Sequence, residues 1–254
     1  APRAGGSPVF FLIGIDDTDS PTSEGTTLHA RRLGEVIEER RHGRLVSITR
    51  HQLFRHPDIY YTTTNSSACL LVDAPKEARR DLELDCREFL RRFSAPSSDP
   101  GFALAAWRDV SPEVVTWGRQ AKHIRHFRSA AIELAKLNNI SCAGFHGSGS
   151  GVIGALAAIG LYFSGSDGRF TWMPGLKRLN GTLTLPVLLS MCYIDRVENF
   201  RGRRPLERDL IYLGDAPTPV LRDGKPVLLL ESAARGEPYQ WRVYTREEIE
   251  KISS

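Results

Sequence analysis

The sequence predicts a mixed α/β (α+β) fold for this chain of 254 residues. Short apolar runs bounded by turn residues, which are typical of buried strands, alternate with longer segments in which apolar residues recur at helical spacing. Hydrophobic residues make up 41% of the chain and charged residues 25%, a composition typical of globular proteins. No apolar run approaches the ~20 residues that a membrane-spanning helix needs, so we expect no membrane partner.

The first predicted strand, residues 9–15, runs directly into three carboxylates, Asp16, Asp17 and Asp19. In open α/β sheets, ligands collect beyond the carboxyl ends of the strands. Carboxylates this close repel one another unless a cation or a proton lies among them, and Mg²⁺ combines one or two carboxylates with water and phosphate oxygens. The pattern therefore predicts a magnesium–phosphate site, although the same residue types are also typical of turns and helix caps.

A helix is predicted after this acidic loop, beginning near Gly25, Thr26 and Thr27. The two threonines would lie at the helix N-terminus, where free N–H groups and the helix dipole attract phosphate. Strand, acidic loop, glycine, paired threonines and helix together predict a nucleotide-binding site, although the chain contains no Walker motif.

Further strands are predicted at residues 45–48, 68–72 and 102–107. The loop after the first of these strands is rich in basic and imidazole side chains, among them Arg50 and His51. These two residues are candidates for substrate contacts, and an ordinary charged surface loop explains them equally well.

A helix is predicted over residues 119–138, because apolar residues recur there every three or four positions. Its other side is basic, which makes it the best candidate for contact with a polyanion, with a solvated helix face as the alternative. The apolar stripe consists of Ala121, Ile124, Phe127, Ala131, Leu134 and Leu137, and the basic side consists of Arg119, Lys122, His123, Arg125, His126 and Arg128.

Residues 149–154 spell G-x-G-x-x-G, which in isolation predicts a dinucleotide-binding fold. That fold needs a clearly predicted strand before the glycines and an acidic residue about 20 positions after them. The segment before the glycines is a weak strand candidate, and Asp167 is a poor match for the acidic residue. Glycines at the start of a helix also bind phosphate, so Gly147, Gly149 and Gly151 are candidates for contacts with a nucleotide.

These motifs resemble, in the same order, those of the archaeal agmatidine synthetases, which modify the wobble cytidine of an isoleucine tRNA. The matching blocks are D-D-T-D-S with the threonine pair, residues 51–68, residues 147–160 and residues 215–221. The resemblance implies a kinase-like α/β module, which we place at residues 1–135, followed by a ferredoxin-like domain at residues 136–254. It assigns the glycine-rich block to the ferredoxin-like domain, lining a cleft with the kinase-like module.

The resemblance also implies ATP and Mg²⁺ as cofactors. The three aspartates would hold Mg²⁺ bridging the nucleotide phosphates, and Thr26 matches the threonine that accepts phosphate in the family. Thr18 would lie beside the nucleotide, and Thr27 would be the helix-cap neighbour of Thr26.

A second partner is implied as well. After a strand predicted at residues 182–193, Asp195 and Glu198 would hold the cationic agmatine, although a polar turn explains them equally well. The family carries a C-terminal OB-fold and zinc ribbon, whereas the four cysteines here are scattered without a C-x-x-C pair. We therefore expect an acceptor smaller than tRNA, or tRNA bound with the help of a partner. Scattered thiols without a signal peptide favour the cytoplasm.

The leading hypothesis is an ATP- and Mg²⁺-dependent phosphoryl-transfer or ligase-type enzyme that acts on a nucleotide together with tRNA or a small amine. Two alternatives remain open. The first is a nucleotide- or RNA-binding protein without turnover. The second is a metal-dependent phosphohydrolase with Asp17 as nucleophile and Asp19 as acid, which Pro21 disfavours because those enzymes place Thr or Val there.

Overall fold

The computed structural model describes residues 8–20, 25–57 and 65–252, so Pro21 lies outside the described residues. The chain divides into two compact units, Ala1–Ser164 and Gly165–Ser254, each containing strands and helices. The predicted mixed α/β class is confirmed. Among the described residues, no helix is both long and apolar enough to cross a membrane.

The described part of the first unit contains five strands, all paired antiparallel. They are β1 (Pro8–Asp16), β2 (Arg44–Gln52), β3 (Ser66–Pro75), β4 (Gly101–Ala106) and β5 (Ser141–Gly144). Their order across the sheet is β5, β4, β1, β3, β2. Both faces of the central strand are covered, because Leu12 and Ile13 point to opposite faces and both are fully buried.

The antiparallel pairing differs from the open α/β sheet that the prediction of the acidic site assumed. Strand β1 does end at the aspartates, as predicted. Its last residue, Asp16, lies opposite Gly101, the first residue of β4, because the two strands run in opposite directions. The end of β1 is therefore surrounded by the loops that enter its neighbours.

The described part of the first unit also contains five α-helices, namely α1 (Thr26–Glu39), α2 (Arg79–Phe93), α3 (Pro112–Gln120), α4 (Arg128–Leu137) and α5 (Val152–Phe163). Helix α5 is buried along nearly its whole length and packs against β1, β3 and β4. A methyl group on Gly14 of β1 would lie 1.9 Å from the carbonyl oxygen of Ala155 in α5. This close packing keeps residues 136–164 in the first unit, whereas the predicted boundary lay at residue 135. The kinase-like and ferredoxin-like descriptions of the two parts remain predictions.

The prediction of one continuous helix over residues 119–138 is wrong, because α3 ends at Gln120 and α4 begins only at Arg128. The predicted apolar stripe is not a core stripe either. Ile124, Phe127 and Leu137 have exposed fractions of 49%, 71% and 77%, respectively. Packing overrides the periodicity here, because the turn at residues 121–126 is fixed from both sides by contacts described below.

The second unit contains seven strands and two helices in its described part. The strands are β6 (Arg169–Trp172), β7 (Gly181–Thr184), β8 (Arg196–Glu198), β9 (Leu210–Gly214), β10 (Val220–Arg222), β11 (Lys225–Ser232) and β12 (Trp241–Val243), and the helices are α6 (Leu185–Met191) and α7 (Arg246–Ile252). Val220, Val227, Leu229 and Ile249 form a buried core cluster. The strand predicted at residues 182–193 is mostly the helix α6, in which Pro186 occupies the first turn, where proline is well tolerated.

Candidate functional site

A cleft of about 440 Å³ opens in the first unit where β1 ends. Its lining contains two chemically distinct groups. The first is acidic and hydroxyl-bearing and comprises Asp16, Asp17, Asp19, Thr26, Asp99, Ser148 and Ser150. The second is basic and apolar and comprises Ile124, Arg125, His126, Phe127 and Arg128.

The carboxylate of Asp16 fits into the cleft because residue 154 has no side chain. A methyl group on Gly154 would lie 1.8 Å from Oδ2 of Asp16. Likewise, a methyl group on Gly151 would lie 2.4 Å from the carbonyl oxygen of Asp99. Two glycines thus let the first turn of α5 approach the acidic cluster, where the positive end of the helix dipole favours negative charge.

Two of the aspartates are held in surroundings that disfavour their charged form. Burial raises the pKa of Asp16 well above its usual value, and the charges of Asp17 and Asp19 raise it further. Burial also raises the pKa of Asp17 to about 6, with further contributions from the charges of Asp99 and Asp19. Asp17 has a φ of +51°, a left-handed conformation that is uncommon for residues other than glycine. Among the described residues, the charges that shift the pKa values of these two carboxylates are those of other carboxylates.

The glycine-rich loop before α5 binds a carboxylate of its own chain. The backbone N–H groups of Ser148 and Ser150 donate to Asp99 over 3.2 and 3.1 Å, and that of Gly149 donates to the same carboxylate. Both serine hydroxyls add hydrogen bonds to it. Burial opposes ionisation of Asp99, but the hydrogen bonds from Ser148 and Ser150 outweigh it and hold the pKa below its usual value.

The predicted contacts of this loop with a nucleotide therefore differ from one glycine to the next. Gly151 lines the cleft. Gly147 and Gly149 instead shape the loop, with left-handed φ angles of +54° and +70° that let its N–H groups converge on Asp99.

Thr26, the first residue of α1, lies in a short chain of hydrogen bonds that are buried or partly buried. Its hydroxyl donates to Oδ1 of Asp19 over 2.6 Å. It also accepts from the hydroxyl of Thr18 over 3.1 Å, and Thr18 in turn contacts Nδ1 of His29 over 2.8 Å. The hydroxyl proton of Thr26 is thus directed at a carboxylate, which is the arrangement that activates an oxygen nucleophile.

Thr18, which was predicted to lie beside the nucleotide, is completely buried and does not line the cleft. Three further predicted site residues do not line it either. His51 is completely buried and contacts the hydroxyl of Thr49 over 2.8 Å through Nε2. The Nε of Arg50 donates to the hydroxyl of Ser66 over 2.9 Å. Thr27 lies in the first turn of α1. The N-cap of this helix is Gly25, and among the described residues the helix has no hydrogen bond from a capping side chain. Ser66, the hydrogen-bond partner of Arg50, lines the cleft instead.

The two acidic residues predicted to hold an amine lie in the second unit and are already paired with cations there. Asp195 forms an ion pair with Lys225 at 3.0 Å. Glu198 lies 3.6 Å from Arg196, which also lies 3.6 Å from Asp195. An amine would therefore have to displace existing partners from both carboxylates.

The donor set of the cleft fits a magnesium ion that is shared with phosphate. Among the described residues, no three His, Cys, Asp or Glu side chains converge on one metal position. Asp19 is engaged by Thr26, which leaves Asp16 and Asp17 as the carboxylates that lack neutralising charge. Two carboxylates with water and phosphate oxygens form a usual Mg²⁺ environment.

Asp99 is a residue of the cleft that the sequence pattern did not reveal, because it falls in a stretch typical of an ordinary loop. The signal available was positional, since Asp99 comes two residues before the strand that pairs with the end of β1. Ser148 and Ser150 alternate with the glycines of the G-x-G motif, and that motif predicts only the glycines as contacts.

The fold and the cleft together define a mixed α/β protein with an acidic, hydroxyl-bearing pocket of the kind that enzymes of phosphate chemistry use. The chain is 30% identical over 155 residues to TiaS of Methanocorpusculum labreanum, the 2-agmatinylcytidine synthetase for an isoleucine tRNA. This match covers 59% of this chain and 35% of the relative. No family model matches the chain.

Two solved structures share the fold. The complex of TiaS with its isoleucine tRNA and ATP superimposes with a TM-score of 0.53 at 24% identity, covering 60% of this chain and 36% of TiaS. The complex of TiaS with the tRNA, AMPCPP and agmatine gives a TM-score of 0.50 at 23% identity, covering 59% and 36%. The resemblance predicted from the motifs is thereby confirmed, and the chain spans about a third of the length of the relatives that it matches.

Proposed function

We propose that this chain catalyses ATP- and Mg²⁺-dependent phosphoryl transfer, as part of ligase-type chemistry on tRNA. The observation that carries the proposal is the 2.6 Å hydrogen bond from the hydroxyl of Thr26 to Asp19, inside a cleft that Asp16 and Asp17 also line. The relatives support the substrate class, because TiaS is named for a tRNA product and has been solved with ATP and with AMPCPP and agmatine.

In the proposed reaction, Oγ1 of Thr26 attacks the γ-phosphorus of ATP. The new bond joins this oxygen to phosphorus, the bond to the β-phosphate oxygen breaks, and ADP leaves with that electron pair. Asp19 takes the hydroxyl proton. Asp16 and Asp17 would hold Mg²⁺, which when bound supplies the positive charge that neutralises the phosphate oxygens.

The second partner is proposed from the relatives alone. One TiaS complex contains both an isoleucine tRNA and agmatine, so tRNA and a small amine are the acceptors to try first. The ion pairs of Asp195 and Glu198 do not favour these residues as the amine site.

The test is transfer of radiolabelled phosphate from the γ-position of ATP to the purified protein in the presence of Mg²⁺. We expect label on Thr26, its loss in Thr26→Val and its retention in Thr26→Ser, which keeps the hydroxyl. Thr27→Val is the matched control, because its side chain does not line the cleft. Unchanged labelling of Thr26→Val would contradict the proposal.

The same assay separates the alternatives. A phosphohydrolase that uses Asp17 as nucleophile would instead carry the label as an acyl phosphate on Asp17, which hydroxylamine removes, whereas phosphothreonine resists hydroxylamine. The structure does not favour this alternative, because Asp19 accepts a hydrogen bond from Thr26 rather than serving as a free acid. A binding protein without turnover would bind Mg²⁺·ATP and transfer no phosphate to any residue.

A further inference from the structure

The segment between α3 and α4 presents an unusual surface to the cleft. Phe127 lines the cleft with 71% of its surface exposed, and Ile124 lines it with 49% exposed. Arg125 and Arg128 flank Phe127 in the sequence and line the same cleft, and within the described ranges neither forms an ion pair with a carboxylate. An exposed aromatic ring between two cations is typical of a surface that binds another molecule.

This surface is held in place by the fold on both sides of the turn. The carbonyl oxygen of Ala121 accepts a hydrogen bond of 2.9 Å from the N–H of Phe54. The ring of His126 stacks on Trp117 with the ring centroids 3.8 Å apart. The exposure of Phe127 is therefore imposed by well-packed neighbours on a preformed wall of the cleft.

Two more contacts direct this wall toward a nucleotide. A methyl group on Gly149 would lie 3.0 Å from Nε of Arg128, so the guanidinium packs beside the glycine-rich loop next to the acidic cluster. Nε2 of His126 is buried and, among the described residues, has no hydrogen-bond partner. An exposed ring, two cations and the imidazole of His126 thus line the same cleft as the carboxylates.

We propose that Phe127 stacks on the base of the bound nucleotide and that Arg128, with Arg125, contacts its phosphates. This inference rests on the proposed function and identifies which residues bind the base and the phosphates of the nucleotide. The charges match, because the triphosphate faces carboxylates through Mg²⁺ on one side and guanidinium groups on the other. The base would cover an aromatic ring that is otherwise exposed to water. Stacking of this kind tolerates any base, because every base has a flat aromatic face.

The test is isothermal titration of the full chain with two probes, Mg²⁺·ATP and magnesium tripolyphosphate, which lacks the base. Phe127→Leu should weaken binding of Mg²⁺·ATP roughly tenfold and leave that of tripolyphosphate unchanged, because only stacking is lost. Arg128→Gln should weaken binding of both probes about tenfold, because a charge-assisted phosphate contact is lost.

The controls carry the same chemical changes away from the cleft. Phe93→Leu replaces another exposed phenylalanine on α2, and Arg119→Gln removes an exposed charge at the end of α3. Neither residue lines the cleft, so both variants should bind like the wild type. Melting temperatures of all four variants verify that each is folded.

The outcomes distinguish this inference from the proposed function. If Phe127→Leu and Arg128→Gln bind Mg²⁺·ATP as tightly as the wild type while Thr26 still becomes labelled, the nucleotide lies elsewhere in the cleft and only this inference fails. If the two variants lose binding as expected but the wild type never labels Thr26, the binding surface stands and the proposed reaction fails.

Discussion

Replacing Asp17 by Asn should make the protein more stable while abolishing phosphate transfer. The wild-type carboxylate is largely removed from water and is also crowded by Asp99 and Asp19, which together raise its pKa to about 6. Near neutral pH it is charged in both the folded and the unfolded chain, so the folded state bears the cost of that charge. Asparagine also tolerates the left-handed backbone at this position, where φ is +51°.

The size of the effect follows from the shift in pKa, from an ordinary 3.8 to about 6. At about 1.4 kcal/mol per pKa unit, the upper limit is about 3 kcal/mol. Partial exposure of Asp17 to water reduces this, and we expect a gain of about 1–2 kcal/mol in the free energy of unfolding. For a protein of this size, that gain corresponds to a melting temperature roughly 3–6 °C higher.

The pH dependence supplies a second check on the same variant. Because the folded pKa is raised, the wild type loses stability as pH rises from about 4 to about 6. The advantage of the variant should therefore be largest at about pH 7.5 and roughly half as large at about pH 5. Thermal unfolding without metal or nucleotide, followed by circular dichroism at both values, measures it.

A matched control is available at Asp223, which has the same φ of +51° but a side chain that is 76% exposed and paired with Arg196. Asp223→Asn should change stability by less than about 0.5 kcal/mol or lower it slightly. If Asp17→Asn is no more stable than the wild type near neutral pH, the carboxylates are not crowded as described, and the case for a cation among them fails.

Three further predictions concern the same cleft. Gly154→Ala should displace the carboxylate of Asp16, lowering phosphate transfer roughly 100-fold with little change in melting temperature, since the clash falls on a side chain. Asp99→Asn should lower the pKa of Asp17, seen by NMR titration, and also reduce stability, because an amide nitrogen cannot accept the hydrogen bonds that one carboxylate oxygen accepts from Ser148 and Ser150. The stabilisation of the wild type by Mg²⁺, measured by thermal shift, should disappear as pH falls through about 6, because protons then compete for Asp17.

The elements nearest the start of the chain were predictable because their signals are local. The apolar run at residues 9–15 forms β1, and the helix predicted from Thr26 begins at Thr26. The hydrogen bond between Thr26 and Asp19 lies within one strand–loop–helix unit, and the sequence brings both residues to the same loop. Local patterning therefore located one half of the cleft.

The other half could not be predicted because it depends on long-range packing. Nothing in residues 119–138 indicates that His126 stacks on Trp117 and interrupts the helical period. Because of this interruption, Arg125 lies in the turn between α3 and α4, Arg128 begins α4, and both line the cleft. That these cations bind a polyanion stays a prediction.

The glycines show how strongly the cleft constrains the rest of the fold. Gly14 of β1 faces the backbone of α5, and a methyl group there would lie 1.9 Å from the carbonyl oxygen of Ala155. Gly154 of α5 faces the last residue of β1, and a methyl group there would lie 1.8 Å from Oδ2 of Asp16. A helix needs no glycine in its interior for its own stability and loses roughly 1 kcal/mol by having one. The cost is compensated only if the close approach has another use. Bringing the positive end of α5 against a carboxylate of raised pKa is such a use, because the same N-terminus then lies next to the phosphate of any nucleotide bound through Mg²⁺.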